Sequence, residues 1–248
     1  MRIKLYACAV LYRELCAAVA RSSNRADVEF LPQGLHNLGS TRMLARLQET
    51  VDRPENAGYD AIALGYGLCG LGLVGLAART VPLVIPGAHD CITFFLGSKE
   101  RYLEYFYANP GVYFKTSGWI ERTDGSQQSA GTCCGDDSCC KNCSLEELTE
   151  KYGEEDAKEI YDILTGATAN YSRLAYIEMG VEPSEVFEKI VKDEARTKGW
   201  KYEKIRGDMA LMNKLVDGDW PERDFLILKP GFRVEPSYDL SIIKAVPA

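Results

Sequence analysis

The chain has 248 residues, 46% of them apolar and 26% charged, with a formal net charge of −7. This is ordinary globular composition, long enough for one large domain or two modest ones. The acidic balance, with no basic block or stripe, excludes nucleic acid and anionic membrane as natural partners.

No apolar run approaches the roughly 18 residues a membrane-spanning helix needs. Residues 1–6 pass directly into a strand pattern without signal-peptide architecture. A cytoplasmic location is the expectation, and there thiols are kept reduced.

In chain order, residues 3–10 predict an apolar strand and residues 12–21 a short helix. Residues 28–31 predict a second strand. Ser40 or Thr41 caps a helix with Met43, Leu44, Leu47 and Val51 on one face. Residues 60–66 and 81–85 predict the third and fourth strands. Ser98 opens a helix bearing Tyr102, Leu103 and Phe106, and residues 112–114 predict a fifth strand. Near-continuous apolar strands separated by helices specify parallel sheet covered on both faces.

Residues 123–144 lack periodicity and read as a loop long enough to require a functional reason. Beyond it, Ser144 and Glu147 form a capping box for a helix to about residue 164. Residues 174–179 predict a strand, 183–198 a helix and 202–206 a strand. Asp208 caps a helix carrying Leu211, Met212 and Leu215. Residues 225–228 predict the last strand, and Pro230-Gly231 turns the chain into a poorly patterned tail. The expected fold is α/β, with two Rossmann-like lobes of parallel sheet. These are residues 1–122 and 145–248, joined by a cysteine-rich inserted loop at 123–144 and facing each other across a cleft. Assembly as a homo-oligomer is compatible with this pattern.

Nine cysteines are the most informative feature in a reducing compartment. Their odd number argues against a closed disulfide framework. Cys16, one turn after Leu11 and Tyr12, reads as a small core hydrophobe. The others are grouped.

The first group sits where the predicted strands end, on the side where doubly wound sheets bind ligands. Cys8 ends the first strand and His36 follows the second. Cys69 follows the third, and His89 and Cys91 follow the fourth. Three cysteines and two histidines on one sheet edge suit zinc, iron or an iron–sulfur cluster. Asp90 is placed to orient a histidine, and His89 with Asp90 forms the candidate catalytic pair. His89-x-Cys91 with a distant cysteine resembles the zinc ligands of cobalamin-linked methyltransferases, although the rest of the chain does not resemble that barrel. Gly65-x-Gly67-x-x-Gly70 matches the dinucleotide fingerprint in form, but follows the third strand instead of opening the fold. Its glycines are read as letting backbone approach a bulky cofactor closely.

The second group is Cys133-Cys134-Gly-Asp-Asp-Ser-Cys139-Cys140-Lys-Asn-Cys143. Cys140-x-x-Cys143 suits two ligands on one metal, with Cys133 or Cys134 returning as further ligands. Thiolates so close repel one another unless a cation lies among them. Both a four-cysteine zinc site and a [4Fe–4S] cluster meet the pattern. The lack of histidine favours the cluster.

The segments Ala-Leu-Gly-Tyr-Gly-Leu-Cys-Gly-Leu-Gly-Leu-Val-Gly-Leu (63–76), Ile-Pro-Gly-Ala-His-Asp-Cys-Ile-Thr-Phe-Phe-Leu-Gly-Ser (85–98) and Gly-Asp-Met-Ala-Leu-Met-Asn-Lys-Leu-Val-Asp-Gly-Asp-Trp (207–220) resemble the domain-of-unknown-function family sixteen-thirty-eight. Cys69, His89, Asp90 and Cys91 match its pattern. The resemblance implies a setting beside corrinoid-dependent methyltransferases in anaerobes that use methylated amines.

The leading expectation is therefore a thiolate-ligated metalloprotein, an enzyme or redox accessory of anaerobic one-carbon and methyl-transfer metabolism. Its partner would be a corrinoid protein or a small methyl donor. An iron–sulfur cluster is favoured over zinc. The alternatives are a zinc-dependent methyltransferase and a non-catalytic carrier of metal or corrinoid.

Overall fold

The computed structural model describes residues 1–122, 149, 153, 154, 157, 158 and 171–248, without the side chains of His36 and Asn37. The predicted loop with Cys133, Cys134, Cys139, Cys140 and Cys143 lies outside the described residues, as does most of the helix predicted after it.

The protein is mixed α/β. A five-stranded sheet has the order β2-β1-β3-β4-β8. It comprises β1 (Arg2–Cys8), β2 (Arg25–Leu31), β3 (Ala61–Gly65), β4 (Leu83–Pro86) and β8 (Phe225–Leu228). The first four strands run parallel, and β8 pairs antiparallel with β4. Every residue of β3 and β4 is buried, which is why their sequences show no polar alternation. A second, all-parallel sheet has the order β5-β6-β7, from β5 (Val112–Lys115), β6 (Arg173–Glu178) and β7 (Lys201–Arg206). β9 (Phe232–Pro236) and β10 (Ile243–Pro247) form an antiparallel hairpin.

The first two helices are amphipathic. α1 (Tyr12–Arg21) buries Glu14, Leu15 and Ala18, and α2 (Ser40–Val51) buries Met43, Leu47, Thr50 and Val51, which is the helical period of one inward stripe. The N-cap of α2 is Gly39 at φ 83°, with no side-chain cap, so neither Ser40 nor Thr41 takes the capping role expected of it. α3 (Cys91–Leu96) leads directly into α4 (Lys99–Ala108), whose N-cap Ser98 accepts from the Arg101 N–H at 3.2 Å. α5 (Ser117–Arg122), α6 (Val186–Lys198) and α7 (Ala210–Asp217) complete the described helices. Among the described residues, none of them is long and apolar enough to cross a membrane.

The expected division at the cysteine-rich loop does not follow the sheets. β5 precedes that loop yet pairs with β6, and β8 from the C-terminal segment closes the edge of the first sheet. The buried apolar residues do not divide there either. Ala175, Ile177, Met179 and Ile205 of the second sheet join Ile3, Leu5, Ile62 and Val84 of the first in one core. A smaller cluster of Leu174, Tyr176, Val191 and Ala195 lies under α6. The physical reason is burial: β6 packs apolar residues on both faces, and one of them is covered by the first sheet's own layer.

Candidate functional site

Parallel strands place the loops that follow them on one side of the sheet. Cys8 is the last residue of β1, Tyr66 follows the last residue of β3, and Cys91 is the first residue of α3 beyond β4. Gly65 is required by packing between strands: it stands opposite Ala7, whose Cβ would lie 2.5 Å from any Cβ added there.

Two backbone hydrogen bonds join the loops after β3 and β4. Leu68 donates to the Ala88 carbonyl at 2.8 Å and Cys69 to the His89 carbonyl at 2.9 Å. Gly67 allows this approach, since a Cβ there would lie 2.8 Å from the Asp90 backbone. The chain then turns through three successive residues of positive φ, Cys69 at 45°, Gly70 at 64° and Leu71 at 71°. Non-glycine residues held in that region cost about 1–3 kcal/mol each, and such strain gathers at functional sites. No helix follows in residues 66–82, so Gly65, Gly67 and Gly70 do not form a dinucleotide cradle. Close backbone approach is their role, but to the next loop of the chain.

The outcome is a cavity lined by Cys8, Cys69, Cys91, Tyr66 and Met43. Its free volume is about 10 Å³, room for about one water-sized atom. Burial pushes the Cys8 thiol up from its ordinary pKa. Burial, with the negative charges of Asp90 and Cys8, pushes Cys69 up to about 12. Cys91 is raised well above a free thiol by burial and then by Cys69, Asp90 and Cys8. All three cysteines line the same cavity. At neutral pH all three are thiols. Among the described residues, no cationic side chain is a main influence on any of them.

Tyr66 is 4% exposed, and among the described residues its buried hydroxyl has no hydrogen-bond partner. Burial and the surrounding Cys8, Cys69 and Cys91 raise its pKa. An unpaired buried hydroxyl costs about 1–3 kcal/mol. Among the described residues, no group of three or more His, Cys, Asp or Glu side chains is already disposed to hold a metal ion. The three thiols thus share a cavity without enclosing an ion-ready centre.

His89 and Asp90 stand beside this cavity, outside its lining. The His89 ring stacks on Tyr102 at 5.6 Å. Asp90 caps α3 by accepting from the Ile92 N–H at 2.9 Å, and it accepts from the Tyr102 hydroxyl at 3.1 Å. Its carboxylate therefore serves the helix and Tyr102 in place of the histidine it was expected to orient. Leu35, at the start of a 3-10 turn over Leu35–Leu38, also lines the cavity; the neighbouring His36 side chain lies outside the described residues.

Sequence reasoning missed Tyr66 and Met43. A tyrosine ending a strand and a methionine in a helical stripe both look like ordinary core, and only the fold turns them toward the thiols.

A family model described as "Protein of unknown function (DUF1638)" matches residues 30–216. This span contains Tyr66, Cys69 and Cys91 and begins after Cys8. No curated protein and no solved structure matches the chain.

Proposed function

The chain belongs to the DUF1638 family, and from the chemistry of its strand-end cavity we propose that it is a thiolate metalloprotein whose working ion is held by Cys8, Cys69 and Cys91. The observation that carries this reading is the Tyr66 hydroxyl, buried and unpartnered beside three thiols and a space of about one atom. Such a group marks a place where something else binds.

The electrostatics support a cation. Three buried thiols are poor nucleophiles while protonated, and an arriving metal ion displaces their protons. A thiolate set with the Met43 thioether nearby selects a soft or borderline ion, with zinc first. The cavity suits a single ion, so at this edge zinc takes precedence over the [4Fe–4S] cluster. Small movements of the Cys69 and Cys91 side chains would close the three sulfurs around it.

Three protein ligands would leave one position open, and a metal held there would supply Lewis-acid activation of a thiol or methyl acceptor. Tyr66 would donate its hydroxyl to a group held in that position, and Gly67 keeps the loops close enough for Cys69 and Cys91 to act together. We assign the chemistry to methyl transfer in one-carbon metabolism, with a corrinoid protein or small methyl donor as partner. A corrinoid is far larger than the cavity and would present its methyl group from outside. The mostly parallel first sheet and the all-parallel second sheet are taken as Rossmann-like units, with the site at the carboxyl edge of the first.

The test is zinc binding by anaerobically isolated protein in which Cys133, Cys134, Cys139, Cys140 and Cys143 are all serine. One equivalent should remain, and Cys69→Ser or Cys91→Ser should weaken it by more than about a hundredfold, the upper range for changes one shell further out. Failure of the serine-loop protein to bind zinc, or unchanged affinity in both single variants, overturns the reading.

A further inference from the structure

A second, larger cavity lies at the carboxyl ends of β6 and β7, away from the thiols. It has a volume of about 710 Å³, within the range of small-molecule sites. Glu178 ends β6 and Arg206 ends β7, and the loops Met179-Gly180 and Gly207-Asp208-Met209 form the walls. Arg101 reaches in from α4.

Two arginines in the lining separate this crevice from an ordinary wet surface. Arg101 is fixed by donating to the carbonyls of Leu96 and Arg206. Among the described residues, neither Arg101 nor Arg206 is paired with a carboxylate. Of the two carboxylates in the wall, Glu178 is paired with Lys204 at 2.7 Å, an ammonium it shares with Glu188 at 2.8 Å. Asp208 accepts the Ala210 N–H at 2.8 Å and is left as a net acceptor facing the cavity. Gly180, at φ 75°, and Gly207 keep the wall low: a Cβ on Gly207 would meet the Met179 sulfur at 2.0 Å, and the position above Gly180 is open.

We infer that this crevice binds a small phosphate monoester that also carries hydroxyl groups. The forked donors of Arg206, with the N–H groups Arg101 retains beyond its two carbonyl bonds, match the phosphate oxygens in a way a single ammonium does not. Asp208 accepts from a ligand hydroxyl, and it disfavours a bare anion lacking one. Met179 and Met209 supply the apolar part of the wall. The site is independent of the thiol cavity and of the function proposed for it.

Titration calorimetry of the full chain with glycerol 3-phosphate, glycerol and inorganic phosphate tests the inference. Glycerol 3-phosphate should bind saturably and more tightly than inorganic phosphate, and glycerol should give no saturable heat. Arg206 is exposed, so Arg206→Ala should fold with unchanged melting temperature and lose at least tenfold in affinity for glycerol 3-phosphate. Asp208→Asn should narrow the preference for glycerol 3-phosphate over inorganic phosphate. No saturable binding of either phosphate, or equal affinity in the Arg206→Ala variant, overturns the proposal.

Discussion

Asp208 donates its backbone N–H to the Phe95 carbonyl at 2.9 Å, which ties the loop after β7 to the helix that begins at Cys91. Gly97, the left-handed C-cap of α3 at φ 82°, makes this contact possible, because a Cβ there would lie 2.6 Å from the Asp208 Cβ. α3 is therefore held at one end by the thiol cavity and at the other by the phosphate crevice.

Gly97→Ala should strain this joint twice, by its φ and by the collision. The expected loss is about 2–4 kcal/mol of stability, from a strained backbone plus overpacking, read by urea unfolding. A loss under about 0.5 kcal/mol, the range of a neutral surface change, would show that the two loops are free to separate.

Tyr66→Phe removes a hydroxyl that no described residue satisfies. Thermal unfolding of the metal-free protein should show a gain of about 1–2 kcal/mol, the orphan's cost less the packing change, while zinc affinity falls. A destabilised metal-free variant would mean that the hydroxyl already has a structural partner.

Glu14 is fully buried, and among the described residues neither carboxylate oxygen meets a donor. Burial, reinforced by Glu182 and Glu121 and opposed by Arg13, lifts its pKa from 4.5 to about 7. A folded pKa above the unfolded one means its contribution is intact below pH 4.5 and is lost as pH rises through 7. At about 1.4 kcal/mol per unit, that loss is roughly 3 kcal/mol. Glu14→Gln should flatten the stability profile across this window and be the more stable protein at pH 8. Parallel profiles for the two proteins would show that the carboxyl is ionised and satisfied throughout.

Zinc binding should be steeply pH-dependent, because Cys8, Cys69 and Cys91 are all protonated at neutral pH and must each yield a proton. Calorimetry of the serine-loop protein in buffers of differing ionisation enthalpy should count about three protons per zinc near pH 7. Release of one or none would mean that the ion has other ligands.

Much of the fold can be read from the pattern of residues. The stripe Met43, Leu47, Val51 specifies α2, and the unbroken apolar runs specify β3 and β4, because in each case local period and burial agree. β8 was misplaced for a physical reason: Phe225–Leu228 is apolar in either direction of pairing, and nothing local tells a strand which sheet it will join. The β9–β10 hairpin was missed because only Val234 of β9 is fully buried, and α3 because six residues carry too little period to register.

The candidate site was legible in the same uneven way. Cys8, Cys69 and Cys91 are found by their position at strand ends, since topology alone brings such positions together. Met43, Tyr66 and the purpose of Gly67 depend on contacts between distant segments, which no local spacing encodes. Asp90 looked like a partner for histidine because the two are adjacent in sequence, but the first turn of α3 claims its oxygens first.

Three-thiolate coordination at the strand-end cavity is tested most directly by cobalt(II) substitution. In the serine-loop protein, one equivalent of cobalt(II) should give near-ultraviolet thiolate-to-metal absorbance of the intensity expected for three sulfurs. Cys8→Ser, Cys69→Ser and Cys91→Ser should each lower it by about one third, as ligand counting requires. Absence of that absorbance at saturating cobalt, or an intensity unaffected by all three substitutions, would contradict the account.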